Sequence, residues 1–174
     1  MIIKTVQGKS PEFGKDIYIA ENAVIVGDVI TGDHCSIWFN AVIRGDVNAI
    51  RLGNKVNVQD GAVIHCTYQR HATQIGNNVS IGHNAIVHGC TIEDNVLIGM
   101  GSIVMDGCVV GQNSIIAAGA VVTQNTRIEP GSVYGGVPAK KIKEIDENLS
   151  KHEVERIANN YLKYASWFKE SEEL

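Results

Sequence analysis

An aliphatic residue returns every six positions along most of this 174-residue chain, and this period constrains the fold more than any other feature. A small or β-branched residue stands two positions before the aliphatic one in most hexads. Thr31 is the one polar member of the row, a three-residue slip precedes Leu52, and an insertion lies between Ile64 and Ile75. The row is Ile19, Ile25, Thr31, Ile37, Ile43, Leu52, Val58, Ile64, Ile75, Ile81, Val87, Ile92, Ile98, Val104, Val110, Ile116, Val122 and Ile128.

A period of six matches neither an α-helix nor a simple alternating hairpin, but it is typical of a parallel β-helix. Each hexad then forms one short strand and a turn, and three hexads form one coil. The eighteen glycines, against three prolines, favour many tight turns. About eighteen hexads predict roughly six coils. The alternative, a β-sandwich, needs turns about 8 to 12 residues apart and of irregular length, which this strict period disfavours.

The chain changes character after Gly135–Pro138, where charged residues become frequent. We therefore expect a solenoid over residues 1–138 and a C-terminal α-helical segment over 139–174 that packs on its flank. A helix is predicted from Ser150, with a capping box formed by Ser150 and Glu153. Its apolar face is predicted to comprise Val154, Ile157, Tyr161, Tyr164, Ala165 and Phe168.

Charge and hydropathy exclude several classes of function. The formal net charge is −4 and the pI is about 5.8, so no basic field favours nucleic acid or anionic lipid. No run of about 20 apolar residues is present to span a bilayer. The N-terminus lacks the pattern of an export signal, which predicts a cytoplasmic location. Cys35, Cys66, Cys90 and Cys108 are expected to be reduced core thiols.

The hexad count predicts on which face of the solenoid three of the histidines lie. His65 and His88 each follow an aliphatic residue, three hexads apart, so they are predicted on the same face in successive coils and able to share an ion. His83 belongs to a different face. A trimer of parallel solenoids would bring His83 of one subunit to His65 and His88 of its neighbour. Three imidazoles with an open position are typical of a catalytic zinc or another divalent first-row ion. Spacing alone leaves open three unrelated surface histidines.

Polar neighbours accompany these histidines. Arg44 falls in the column of His65 and His88, and Gln59 falls in the column of His83. Asp46 and Asp60 stand close enough in sequence to orient these neighbours or to bridge subunits, although an interfacial ion pair is an equal interpretation for Arg44 with Asp46. Another group is interpreted more simply as turn residues of the repeat: Asn54, Asn57, Asn77 and Asn84.

These motifs resemble the gamma-class carbonic anhydrases and their hexapeptide-repeat relatives, some of which are known as ferripyochelin-binding proteins or acyltransferases. The resemblance covers nearly the whole chain. It rests on residues 42–46 (VIRGD), 57–61 (NVQDG), 63–65 (VIH), 81–90 (IGHNAIVHGC), 98–101 (IGMG) and 136–140 (GVPAK).

The resemblance implies a homotrimer of left-handed β-helices that converts carbon dioxide reversibly to bicarbonate. Zinc, or iron or cobalt, would be held by His65 and His88 of one subunit and His83 of the next. In that family Gln59 would orient the attacking hydroxide, and Arg44 with Asp46 would pair between subunits. Asn57 and Asp60 would support these groups, and Tyr161 would reach the site from the C-terminal helix.

This chain departs from the family prototype in the residues that move protons. The prototype has glutamates after its Arg-x-Asp segment and in the loop after its first metal-binding histidine, whereas residues 47–49 and 66–70 here contain no carboxylate. His71 is a candidate replacement because the ordinary pKa of histidine lies near neutrality. The simpler interpretation of His71 is an exposed loop residue.

Two alternatives to a carbonic anhydrase remain at this stage. A hexapeptide-repeat acyltransferase would use one histidine as a base and would need no metal, which leaves three aligned histidines without a purpose. A metal-binding or ferripyochelin-binding trimer without catalysis would keep the ligands alone. Fold cannot decide among these, because function lies in the site.

Overall fold

The computed structural model describes residues 1–170, apart from the side chains at positions 147 and 150–152. Short strands stack in parallel register around a solenoid, and a helical segment follows them. The predicted fold class, a left-handed parallel β-helix with a C-terminal α-helix, is confirmed.

Three columns of strands form the three faces of the solenoid. The first face contains β1 (Ile2–Lys4), the beginnings of β3 (Val24–Thr31) and β5 (Val42–Leu52), β7 (Val63–His65), β10 (Ile86–His88), β13 (Ile103–Val104) and β16 (Val121–Val122). The second contains the ends of β3 and β5, then β8 (Thr73–Ile75), β11 (Thr91–Ile92), β14 (Val109–Val110) and β17 (Arg127–Ile128). The third contains β2 (Tyr18–Ile19), β4 (Ser36–Ile37), β6 (Asn57–Val58), β9 (Ser80–Ile81), β12 (Leu97–Ile98), β15 (Ile115–Ile116) and β18 (Ser132–Gly135).

These columns correspond to about seven turns, one more than the sequence predicts. The additional turn begins at β1, whose residues pair with Val24–Val26. Because β1 lies before the first member of the aliphatic row, the repeat count does not include it.

The aliphatic row forms the core of the solenoid. Most of its members are fully buried, including Ile25, Ile43, Ile64, Val87 and Ile98 at 0% exposure. Thr31 is also buried, and its hydroxyl oxygen accepts a hydrogen bond from the Gly14 amide at 3.4 Å, which satisfies the one polar member of the row. The four cysteines are free and buried, as the sequence predicts.

The asparagines that the sequence assigns to turns behave differently from one another. Asn84 adopts a left-handed φ of 56°, as expected of a turn residue. Asn54 and Asn77 lie at turns or bends, where the following residues adopt the left-handed conformation instead. The interpretation of Asn57 as a turn residue is wrong: it belongs to β6 and is 2% exposed. Its side chain is instead part of a buried hydrogen-bond network.

The C-terminal segment contains a strand as well as a helix. Residues Lys140–Glu144 form β19, which pairs antiparallel with β18, so residues 139–174 are not helical throughout. The helical segment comprises α1 (Glu147–Leu149), a π-helical stretch (Ser150–Glu155) and α2 (Arg156–Glu170). It begins before Ser150, since the Leu149 amide donates to Asp146 Oδ1 at 2.7 Å in the manner of an N-cap. The Ser150 side chain, and with it the predicted capping box, lies outside the described residues.

The helix packs on the third face of the solenoid. Ala165 contacts a cluster that contains Tyr18 and Trp38, and Val154 packs with Ile115 and Val133. These contacts hold the described part of the helical segment against the solenoid. Among the described residues, no helix is long and apolar enough to cross a membrane.

Candidate metal centre

His65 and His88 form the centre of the most concentrated group of polar side chains. Their Cα atoms are register partners in β7 and β10. The His65 Nδ1 and His88 Nε2 atoms lie 3.0 Å apart, and the two rings meet edge to face with centroids 5.0 Å apart. The two histidines therefore lie in register in successive turns, as the sequence predicts.

A carboxylate occupies the other nitrogen of each ring. His65 Nε2 lies 3.1 Å from Asp46 Oδ1, and His88 Nδ1 lies 2.7 Å from Asp106 Oδ1. A carboxylate accepts hydrogen bonds, so in a neutral imidazole each of these nitrogens is the one that carries the proton. The two nitrogens that face each other, His65 Nδ1 and His88 Nε2, consequently both present lone pairs.

Two facing lone pairs cannot hydrogen-bond to each other without an added proton, whereas a cation satisfies both of them. Neutral imidazole nitrogens suit Zn²⁺, Fe²⁺ and Co²⁺, and carboxylate partners on the distal nitrogens are typical of metal-binding histidines. The chemistry of this donor pair therefore fits a divalent first-row ion.

Electrostatics keep this arrangement in the required protonation state. Burial lowers the pKa of His65, with Arg44 and His88 acting in the same direction against the opposing effect of Asp46. Although burial opposes ionisation, hydrogen bonds from Arg44 and His65 lower the pKa of Asp46. At neutral pH the imidazole is thus neutral and its partner carboxylate is charged.

Arg44 and Asp46 pair within one chain, with Arg44 Nη1 2.5 Å from Asp46 Oδ2. The family resemblance implies a pair between subunits instead. The Arg44 side chain is 45% exposed, so its remaining donors are accessible to a neighbouring molecule.

His83 lies directly after β9 on the third face of the solenoid, whereas His65 and His88 lie on the first face. Its Nδ1 is 2.9 Å from Asp60 Oδ2, and its Nε2 is 3.3 Å from the Tyr161 hydroxyl. With a neutral ring whose proton is on Nδ1, beside the Asp60 carboxylate, the tyrosine hydroxyl donates to Nε2. Burial, together with the Asp60 charge, raises the pKa of Tyr161, so this hydroxyl keeps its proton.

Gln59 and Asn57 form a fixed amide chain beside His83. Asn57 Nδ2 donates to Ser80 Oγ at 2.7 Å, and Gln59 Nε2 donates to Asn57 Oδ1 at 2.9 Å. Both side chains are nearly inaccessible, with Gln59 4% exposed. Within the described chain Gln59 Oε1 accepts no hydrogen bond, and it therefore remains an acceptor for a bound molecule.

A cleft of about 390 Å³ lies between the solenoid and the C-terminal helix. Gln59, His83 and Tyr161 all line it, together with apolar residues such as Ile98 and Met100. The grouping of Gln59 with His83, expected from the hexad count, is thus observed, and Tyr161 joins them from α2.

The predicted residues therefore form two groups in one chain. Arg44, Asp46, His65 and His88 belong to the first face, and the second group is Asn57, Gln59, Asp60, His83 and Tyr161. Among the described residues of this single chain, no three His, Cys, Asp or Glu side chains converge on one ion. A complete three-histidine site thus requires more than one chain.

The loop after His65 contains no acidic group. The Asn48 side chain donates to the Thr67 carbonyl at 3.3 Å, and Thr67 pairs with His71 through backbone hydrogen bonds. His71 is half-buried, not exposed, and lines a cavity of about 140 Å³ with Thr67 and Asp106. Whether it moves protons stays a prediction.

The sequence analysis does not identify Asp106. This residue stands two positions after Val104, which pairs with Val87 one turn earlier, so it lies one turn beyond His88. Extending the histidine column by one more coil gives Met105, and Asp106 is the next residue in the sequence. Although burial opposes ionisation, hydrogen bonds from His88 and Thr67 lower the pKa of Asp106.

Comparisons with known proteins agree with this geometry. Residues 89–124 match the family model described as "Bacterial transferase hexapeptide (six repeats)". A Methanocaldococcus jannaschii protein named "Probable carbonic anhydrase" is 55% identical over 150 residues, which are 86% of this chain and 91% of that protein. An Arabidopsis thaliana protein named "Gamma carbonic anhydrase 2, mitochondrial" is 40% identical over 90% of this chain, which spans 58% of that longer protein.

A solved structure has the same fold over nearly its full length. It is a hexapeptide transferase family protein from Anaplasma phagocytophilum, with 37% identity, a TM-score of 0.91, and coverage of 96% of this chain and 98% of that chain. Identity of 55% to a carbonic anhydrase that the match covers to 91%, together with 40% identity to a gamma carbonic anhydrase, shows that the chain belongs to the gamma carbonic anhydrase family of hexapeptide-repeat proteins.

Proposed function

We propose that this protein is a homotrimeric, cytoplasmic carbonic anhydrase of the gamma class, which converts carbon dioxide reversibly to bicarbonate. His65 and His88 of one subunit and His83 of the next hold the ion. Zn²⁺ is the expected ion, with Fe²⁺ and Co²⁺ as chemically similar alternatives.

One observation carries this proposal: all three histidines have a carboxylate on one ring nitrogen, and His65 and His88 direct their other nitrogens toward each other at 3.0 Å. Structural histidines in a core do not need this pattern, whereas metal ligands do. The separation of His83 onto another face is what a site shared between subunits requires.

A divalent ion bound there would supply a hydroxide near neutral pH, for which carbonic anhydrases are the standard example. The residues of this chain prepare the surroundings of that reaction. Asp46 and Asp60 hold the imidazoles of His65 and His83 in their required tautomers, and Arg44 holds Asp46 ionised.

Gln59 orients the nucleophile. Its amide nitrogen is committed to Asn57, so its carbonyl oxygen would accept a hydrogen bond from the attacking hydroxyl and so direct an oxygen lone pair at carbon dioxide. The apolar wall of the cleft, which includes Ile98 and Met100, suits an uncharged substrate. Tyr161 lines the same cleft, and its hydroxyl, which contacts His83 Nε2 in the single chain, would be released to donate to a bicarbonate oxygen once Nε2 binds the ion.

Stopped-flow measurement of carbon dioxide hydration on anaerobically purified protein tests the proposal, with metal content determined on the same sample. We expect about three ions per trimer and clear hydration. Hydration that persists after complete metal removal would overturn the metal mechanism. Full metal content without hydration would overturn the enzymatic part and favour a metal-binding trimer.

The transferase names of the matching family model and of the solved relative favour one second candidate, a coenzyme-A-dependent acyltransferase. Assay of acetyl-coenzyme A turnover with amine acceptors on metal-free protein distinguishes it. Turnover there, without carbon dioxide hydration by the metal-loaded protein, would replace our proposal with the acyltransferase.

A further inference from the structure

Asp106 lies in the turn after β13, one coil beyond His88. Its Oδ1 atom is 2.7 Å from His88 Nδ1, and its Oδ2 atom accepts a hydrogen bond from the Thr67 hydroxyl at 2.9 Å. The carboxylate side chain is only 20% exposed. Both of its oxygens are therefore committed, one to the imidazole and one to the loop that follows His65.

Close packing holds this carboxylate against the histidine. A Cβ atom on Gly89, the residue after His88, would overlap Asp106 Oδ1. Gly89 also has a φ of +53°, so a side chain there is disfavoured by conformation as well as by space. Glycine at position 89 is thus what allows the Asp106 turn to approach His88.

Asp106 and Asp46 have the same role on opposite sides of the histidine pair, because each contacts one of the two imidazoles. Asp46 anchors His65 from β5 on one side, and Asp106 anchors His88 from the turn after β13 on the other. The four residues therefore lie in consecutive turns of the solenoid, with the two histidines between the two carboxylates.

We propose that Asp106, braced by Thr67, is a positioning residue for the metal centre: it holds His88 in the Nδ1-protonated tautomer that leaves Nε2 free to bind the ion. This inference rests on the proposed function for the identity of the bound ion. The tautomer of His88 does not depend on the proposed function. Asp106 contacts no reacting atom and acts through His88 alone. The Thr67 bond also connects the loop after His65 to the second histidine of the pair.

The test compares Asp106→Asn, Asp106→Glu and Thr67→Val with a matched control, Asp94→Asn. Asp94 Oδ1 accepts hydrogen bonds from the Asn77 backbone amide and side chain, and it crowds Gly76 as Asp106 crowds Gly89, but it touches no histidine. The control therefore removes the same charge from the same kind of turn.

The first measurement is the tautomer of His88 in metal-free protein, by long-range ¹H–¹⁵N correlation of ¹⁵N-histidine-labelled trimers. We expect the Nδ1–H form in wild type and in Asp94→Asn, and a mixture of tautomers in Asp106→Asn. An unchanged tautomer in Asp106→Asn would overturn the inference.

The second measurement is Zn²⁺ affinity by chelator competition. We expect Asp106→Asn to weaken binding about 10- to 100-fold, the usual effect of removing such a partner, and Thr67→Val to weaken it less. Asp106→Glu should recover part of the loss, and Asp94→Asn should bind as wild type. An equal loss in Asp94→Asn would assign the effect to turn stability and overturn the inference.

The two measurements separate failure of this inference from failure of the proposed function. If wild-type protein binds no Zn²⁺ but Asp106→Asn still alters the His88 tautomer, the positioning role stands and the proposed function fails. If wild type binds Zn²⁺ and Asp106→Asn alters neither tautomer nor affinity, the positioning role fails alone. Should Asp106→Asn not fold, Thr67→Val is the test, because it leaves the carboxylate in place and removes only its hydrogen bond from Thr67. An unchanged His88 tautomer and an unchanged Zn²⁺ affinity in Thr67→Val would then overturn the inference.

Discussion

Individual side chains in this protein have their chemical roles set by one or two partners. Gln59 illustrates this, because the bond from its amide nitrogen to Asn57 decides which of its ends faces the cleft. Asp28 illustrates it away from the site, where Lys9 and Arg51 bind the two carboxylate oxygens at 2.5 and 2.7 Å. Both residues lead to predictions that depend on a single side chain.

Gln59→Leu should reduce the kcat of carbon dioxide hydration about 10- to 100-fold, since orientation of the nucleophile is lost while the ligands remain. Metal content should not change. Stopped-flow kinetics and metal analysis on one sample measure both quantities. Gln74→Leu is the control, because Gln74 is an exposed residue of β8. Loss of metal in Gln59→Leu would contradict a role in orientation.

Asp28→Asn should lower the thermal midpoint at pH 7, and this difference should shrink as the pH falls below about 4. Although burial opposes ionisation, hydrogen bonds from Lys9 and Arg51 lower the pKa of Asp28 in the folded protein. Its contribution to the free energy of unfolding is therefore complete above the unfolded pKa of about 4 and is lost as the pH falls through the lower folded pKa. At pH 7 we expect a loss of about 1 to 2 kcal/mol.

Thermal unfolding of both proteins across this pH range is the measurement. Asp16→Asn serves as the control, because the Asp16 side chain is 71% exposed and lies 3.7 Å from His34. A midpoint difference for Asp28→Asn that stayed constant from pH 7 to pH 3 would show that the effect is not ionic.

At the scale of elements, most strands contribute two or three residues and depend on their neighbours above and below. The strands alternate inward aliphatic and outward polar positions, so stability is distributed over many small interfaces. In β3 and β5, Val29 pairs with Ile50 on the inside and Ile30 pairs with Arg51 on the outside.

Ile50→Ala should reduce the free energy of unfolding by about 2 to 5 kcal/mol, because it leaves a cavity at a position with 0% exposure. Ile30→Ala, on the adjacent strand with 37% exposure, should cost less than about 1 kcal/mol. Denaturant unfolding at equal protein concentration compares the two. Similar losses for both would contradict the conclusion that the inward-facing side chains form the core.

At the scale of the whole molecule, the two groups of candidate ligands lie on different faces of one solenoid. The proposed three-histidine site would therefore depend on assembly of subunits, and the proposed activity would require the proposed trimer. Variants that remove ligands from opposite sides of the same interface should complement each other.

His65→Ala and His83→Ala homotrimers should each lose metal binding and activity. In trimers refolded from an equal mixture of the two variants, about one quarter of the interfaces combine an intact His65 with an intact His83. We therefore expect about one quarter of wild-type metal content and activity. His34→Ala, which changes an exposed histidine, is the control. Full metal content in His83→Ala would contradict the shared site.

The sequence alone determined the solenoid, because in-register parallel stacking converts a six-residue period directly into columns of side chains. The same arithmetic placed His65 beside His88 and Gln59 beside His83. The repeat could not predict features that depend on contacts between turns. These are the added turn at β1, the strand at 140–144, the burial of Asn57 in β6, and the bond from His88 to Asp106. A repeat specifies which residues share a column, whereas side-chain packing and the hydrogen bonds between turns decide which atoms meet. Only the tertiary structure therefore showed that a carboxylate anchors each histidine of the candidate site.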